Sequence, residues 1–131
     1  IRSLRAIPID RGASDMKALR QCIEVLKAGH ILLIFPEGRR TDDGVVHNFS
    51  PGTMLMIKRA QPQVVPVAIE GAFAAWPRKR KMPRLLGRIE VMYGKAISAD
   101  DLAAMGDAQA LTHLRDQVEA MRLELAQRIG Q

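Results

Sequence analysis

From Glu37 to Thr41 the chain places a carboxylate, a glycine, two guanidinium groups and a hydroxyl in succession, immediately after Phe35-Pro36. A guanidinium is planar, permanently charged and able to bind two oxygens at once, so Arg39 and Arg40 suit a phosphate monoester. Gly38 lets backbone approach a ligand closely. Glu37 can order a guanidinium or accept a bond from a ligand hydroxyl, and Thr41 adds a further hydroxyl. A second polar turn, Asp10-Arg11-Gly12, places Arg11 after another apolar run. Ligands of open α/β sheets gather at the carboxyl ends of strands, so these two turns are expected to meet across one anion site. The competing reading is a pair of solvated loops with a weak surface ion pair.

The elements that must carry these turns are legible as patterns. Arg5–Asp10 reads as a short strand. Ser14 is placed to cap a helix in which Met16, Leu19, Ile23 and Leu26 recur at helical spacing and Gly29 follows the end. Ile31–Phe35 is continuously apolar, the pattern of a strand buried on both faces, and Pro36 ends its ladder. Strand, helix and strand in this order predict a parallel pair. Ser50-Pro51 predicts another helix start, with an apolar helix from Met54 to Ala60. Val64–Ile69 and Arg88–Gly94 read as further strands, and Ser98 caps a short helical turn. A packed C-terminal helix is expected over 107–129, with Leu111, Leu114, Val118, Met121 and Leu125 on one stripe. The fold class expected is α/β: a partly parallel, mixed sheet flanked by helices, with 1–131 as a single domain.

A chain of 131 residues that is 47% hydrophobic is globular rather than disordered. Its formal net charge of +6 favours anionic partners. The sole cysteine, Cys22, reads as a buried thiol and gives no disulfide framework. No apolar run is long enough to span a bilayer. There is no Walker pattern, no dinucleotide fingerprint and no Cys/His cluster with metal-ligand spacing, so neither metal nor resident cofactor is expected. Arg78, Lys79, Arg80 and Lys81 form a basic run with Trp76, Met82, Leu85 and Leu86 around it. Such a run suits an anionic bilayer, at about one kcal/mol per well-placed charge, or the phosphates of a donor. The competing reading is a solubilising charged loop. Nucleic acid ranks lower, because Trp76 is the run's one stacking platform.

With these residues in view, Phe35-Pro36-Glu37-Gly38-Arg39-Arg40-Thr41 resembles the Phe-Pro-Glu-Gly-Thr-Arg-Ser block of the glycerolipid, or 1-acylglycerol-3-phosphate, acyltransferases. Ile7–Gly12 resembles the block before it. Asn48–Ile57 resembles the Phe-x-x-Gly helix start, and Val64–Gly71 resembles the following Val-Pro-Val strand. Order and spacing agree for all four blocks. The resemblance implies that Arg11 and Arg40 hold the acceptor's phosphate, that Glu37 and Gly38 bind the acceptor, and that Pro66 is structural or lines the donor region. Arg39 departs from the usual Thr. Thr41 replaces Ser and keeps the hydroxyl. The implied reaction is acyl transfer from acyl-CoA or acyl carrier protein to the hydroxyl of a phosphate-bearing lysophospholipid, at the cytoplasmic face of a membrane as a peripheral protein.

The family's base, a His-x-x-x-x-Asp element, has no counterpart here. The residues five places after His30, His47 and His113 are Phe35, Gly52 and Val118. No catalytic residue is therefore assigned within this chain. The element is expected upstream in a longer protein, which makes this chain an N-terminally truncated, acceptor-binding portion that is inactive alone. His47 lies in the loop near the arginines without an obvious orienting carboxylate. The alternative from another class is a non-catalytic module that binds anionic lipid or a phosphoryl ligand.

Overall fold

The computed structural model describes residues 7, 16–77, 82 and 87–130. Helix α1 spans Met16–Lys27. It ends as its sequence predicts: Gly29 takes φ +81°, its N–H donates to the Leu26 carbonyl, and the His30 N–H donates to the Val25 carbonyl at 3.2 Å. That pair of bonds satisfies two carbonyls the helix would otherwise leave open. Ala18 is the buried residue of α1, while Met16, expected on the apolar stripe, is exposed.

Helix α2 (Gly52–Ala60) packs against α1 and buries Thr53, Met54, Met56 and Ile57. Its start differs from expectation. Pro51 occupies the cap position, and Ser50 contributes its carbonyl to the Thr53 N–H at 3.0 Å rather than its hydroxyl. Strand β1 (Val67–Glu70) pairs antiparallel with β2 (Glu90–Tyr93), Val67 opposite Tyr93 and Glu70 opposite Glu90. Between them lies the single-turn helix α3 (Ala72–Ala75). Helix α4 (Ala99–Ala104) is capped by Ser98, whose hydroxyl accepts the Asp101 N–H at 3.1 Å. Helix α5 (Asp107–Ile129) lies on both strands and buries Ala110, Leu114 and Leu125 along the expected stripe. The α2, α4 and α5 faces close over Met54, Ile57, Leu102 and Leu114, with Phe49, Val64, Ile97 and Leu111 packed around them. Each fully buried side chain of this size stabilises by about 1.5–3 kcal/mol.

Two sequence expectations are corrected. Ile31–Phe35 forms no strand ladder among the described residues, and it is not buried on both faces: Ile31 is 98% exposed and Leu33 72%. A strand exists only by its pairing. The partner expected for it, Arg5–Asp10, lies almost wholly outside the described residues, as do the Ser14 cap and the Asp10-Arg11-Gly12 turn. The sheet among the described residues is accordingly two-stranded and antiparallel. The run Val64–Ile69 is divided at Pro66: Val64 makes an isolated bridge to Ile97 and the regular strand begins at Val67. Pro66 has no N–H to give, but its carbonyl accepts the Gly94 N–H at 2.8 Å.

Gly71, which joins β1 to α3, takes φ +87°, and a Cβ there would lie 2.1 Å from the Arg88 carbonyl oxygen. Gly29 takes a similar φ of +81° with nothing within 4 Å of such a Cβ. Gly29→Ala should therefore cost only the left-handed backbone penalty of about 1–2 kcal/mol. Gly71→Ala should cost more than about 3 kcal/mol, because backbone must move. Urea unfolding midpoints compare the two. Equal losses would mean that the β1–α3 turn is not seated against Arg88.

Candidate functional site

The polar segment after Phe35 is held in shape by side chains that satisfy its own backbone. Pro36 opens a turn closed by the Gly38 N–H on the Phe35 carbonyl at 3.0 Å, and the Pro36 carbonyl accepts the Ser50 N–H at 2.8 Å. Gly38 takes φ +71° with open space where a Cβ would be, so conformation is what favours glycine there. Among the described residues Glu37 orders no guanidinium. Its Oε2 accepts the His47 N–H at 2.9 Å, which ties the two ends of the loop together.

Within the loop, Thr41 and Asp43 build a second turn. The Thr41 hydroxyl accepts the Gly44 N–H at 3.0 Å and sits 2.8 Å from Asp43 Oδ1. Asp43 Oδ1 accepts the Val45 N–H at 3.2 Å and lies 2.9 Å from His47 Nε2. Asp43 is thus the carboxylate that orients His47; the sequence shows Asp42 and Asp43 nearby but not which of them is in place. The Thr41 hydroxyl, the Val45 N–H and His47 together hold the Asp43 pKa down at about 2.

The two arginines have different surroundings. Arg39 Nη1 is 3.6 Å from Asp42 Oδ2 in an exposed pair of little energetic weight. Arg40 forms no ion pair among the described residues. Its guanidinium lies over the ring of Trp76, 5.8 Å from the centroid.

A partly buried network anchors this loop to the rest of the fold. Arg122 of α5 donates to Glu70 Oε2 at 2.7 Å and to both carboxylate oxygens of Glu119. Glu119 Oε2 also accepts the Val46 N–H at 3.3 Å. Arg122 holds Glu119 below the usual carboxylate range against the opposing effect of burial. Glu119 and then Glu70 push Arg122 above its own ordinary value. No role was assigned to Glu119 or Arg122 from the sequence. Their i, i+3 spacing was the available signal.

Behind the loop lies an apolar cavity of about 220 Å³, lined by Ile34, Phe49, Met56, Pro66 and Leu114 with Glu37 at its polar margin. Pro66 therefore lines a cavity close to the loop. Of the remaining sequence candidates, Arg11 and the basic residues Arg78, Lys79, Arg80 and Lys81 lie outside the described residues. The structure brings Glu37, Thr41, Asp43 and His47 together and sets Arg40 against Trp76.

A model of the Acyltransferase family matches residues 1–70. A 1-acyl-sn-glycerol-3-phosphate acyltransferase of Pseudomonas aeruginosa is 37% identical over 101 residues, which cover 74% of this chain and 38% of that protein. One from Chlamydomonas reinhardtii is 27% identical over 122 residues, covering 90% of this chain and 36% of its own length. The crystal structure of the 1-acyl-sn-glycerophosphate acyltransferase PlsC from Thermotoga maritima superposes with a TM-score of 0.77 at 25% identity, over 85% of this chain and 45% of that one. The chain thus spans less than half the length of each of these relatives.

The turn geometry makes a pH prediction. A carboxyl held below its ordinary value supports the folded loop above that value, and the support is lost as pH falls through about 2 for Asp43. Side-chain carboxyl NMR should find Asp43 titrating near 2, and Thr41→Val should move it up toward the ordinary 3.8 by removing its largest cause. An Asp43 that titrates at 3.8 in the unsubstituted chain would show that the Thr41 turn does not persist in solution.

Proposed function

The chain belongs to the acyltransferase family, and from that premise we propose that it supplies the acceptor-binding portion of an enzyme that acylates a phosphate-bearing lysolipid, 1-acylglycerol 3-phosphate in the first place. The observation that carries this reading is Arg40. Its fork sits on the Glu37–Thr41 loop with no carboxylate spending its donors among the described residues. A phosphate monoester is the acceptor feature that such a fork binds best. Arg11 is proposed as the second phosphate ligand.

In the reaction proposed, the acceptor hydroxyl loses its proton to a base as its oxygen attacks the thioester carbonyl of acyl-CoA or an acylated carrier protein. The carbon–oxygen bond forms, the carbon–sulfur bond breaks, and the departing thiolate takes up the proton. The role of this segment is positional: fixing the phosphate places the hydroxyl near the base and the thioester. The base is assigned to a His-x-x-x-x-Asp element, a spacing that none of the three histidines of this chain shows. The apolar cavity beside Pro36 and Pro66 suits hydrocarbon from either substrate.

No helix among the described residues is long and apolar enough to cross a membrane. Contact with the lipid surface is proposed instead through the Arg78–Lys81 run, peripherally and at the cytoplasmic face.

Three measurements test this. Calorimetry should find 1-acylglycerol 3-phosphate bound at least about tenfold more tightly than the monoacylglycerol of the same chain, and Arg40→Ala should remove most of that difference. In the enzyme carrying this segment with its base, the same substitution should raise KM for the acceptor and leave KM for acyl-CoA within about twofold. Equal affinity for the two lipids, or equal loss on both substrates, defeats the phosphate assignment. Vesicle flotation should show binding to anionic but not neutral vesicles that fades as salt rises. Salt-independent binding would dismiss the basic run as the contact.

A further inference from the structure

We infer that Trp76 is a positioning residue for Arg40: its indole ring meets the guanidinium, 5.8 Å from the centroid, and holds it without a carboxylate taking up its N–H donors among the described residues. This rests on the phosphate reading of Arg40 and names a residue that makes the site. Stacking is the way to fix an arginine without using its donors, because the ring meets the face of the guanidinium while its N–H bonds lie in the plane. A carboxylate partner does the opposite. Arg39, beside Asp42, illustrates that case one residue away.

The placement of Trp76 does not depend on the stack alone. Gly71, wedged against the Arg88 carbonyl, fixes where α3 leaves β1. The Trp76 N–H closes α3 on the Ala72 carbonyl at 2.9 Å. At its other end α3 sets Phe73 against the arginine loop: a Cβ on Gly44 would lie 3.0 Å from the Phe73 ring. One short helix therefore touches the loop twice, with Phe73 at the Thr41–Gly44 turn and Trp76 at Arg40. Glu70, immediately before this unit, is held by Arg122. Arg40 is exposed and Trp76 is 48% exposed, so a ligand can reach the guanidinium from solvent.

Trp76 is also the only tryptophan of the chain, so its emission reports this contact directly. The probe is 1-acylglycerol 3-phosphate below its micelle concentration, with calorimetry for affinity and tryptophan emission for the stack. The lipid should perturb Trp76 emission saturably, and Arg40→Ala should shift the emission of the free protein and abolish the response. Trp76→Leu should weaken binding about two- to fivefold, the size of an exposed cation–π contact, while Trp76→Phe restores affinity to within the error of the unsubstituted chain. A structural role alone predicts a lowered unfolding midpoint without rescue of affinity by Phe. If Arg40→Ala weakens binding and Trp76→Leu does not, the positioning role is wrong and the phosphate site stands. If Arg40→Ala has no effect, or the unsubstituted chain gives no saturable binding, the phosphate reading falls and this inference falls with it.

Discussion

The arrangement of the site depends on one guanidinium, that of Arg122. It is 15% exposed and stands between Glu70, at the end of β1, and Glu119, one turn before it on α5. Two carboxylates around one fork satisfy several N–H donors and leave Glu119 with a lone pair for the Val46 N–H. A helix, a strand end and a loop are thereby tied at a single point. The energetic meaning of such a point is asymmetric. Assembling partly buried charges gains little over an apolar packing, but removing one partner strands the others away from water. The network is better regarded as a device that fixes where three segments sit than as a reservoir of stability.

That fixed point makes a polar loop tolerable. A segment of Gly, Asp, Arg and Thr has no apolar face to bury, so backbone bonds must hold it. Glu37, Thr41, Asp43 and Glu119 accept those bonds, from His47, Gly44, Val45 and Val46 respectively. Nearly every polar side chain of the loop is spent on structure in this way. Among the described residues the Arg40 fork has no such bond, and the proposed phosphate selectivity rests on it.

How much of this could be read from the chain follows from the range of the interactions. Gly29 after α1, Ser98 before α4 and the stripe of α5 are local patterns, and each appears as expected. The Glu37–Thr41 block and its family were also legible, since a motif is local by definition. Whether Ile31–Phe35 is buried on both faces was not, because an apolar run carries no period and cannot say which face has a partner. Arg122 and Glu70 stand 52 residues apart, and Val46 and Glu119 stand 73 apart. No spacing rule spans such distances. Trp76 was read with the basic run that follows it, which lies outside the described residues, and its contact with Arg40 joins it to a loop far upstream as well.

The adjacent arginines show why residue type alone underdetermines a site. Arg39 and Arg40 are chemically identical, and outside helices successive side chains leave the backbone in different directions. One meets Asp42 in solvent and is neutralised there. The other meets an aromatic face that neutralises nothing. A quadrupole orients a cation without supplying a counter-charge, so the field of Arg40 persists beyond the contact that holds it. The Glu-Gly-Arg-Arg sequence thus contains one arginine that closes a surface ion pair and one without a carboxylate partner among the described residues, and the difference lies in what the segment after β1 presents to the second.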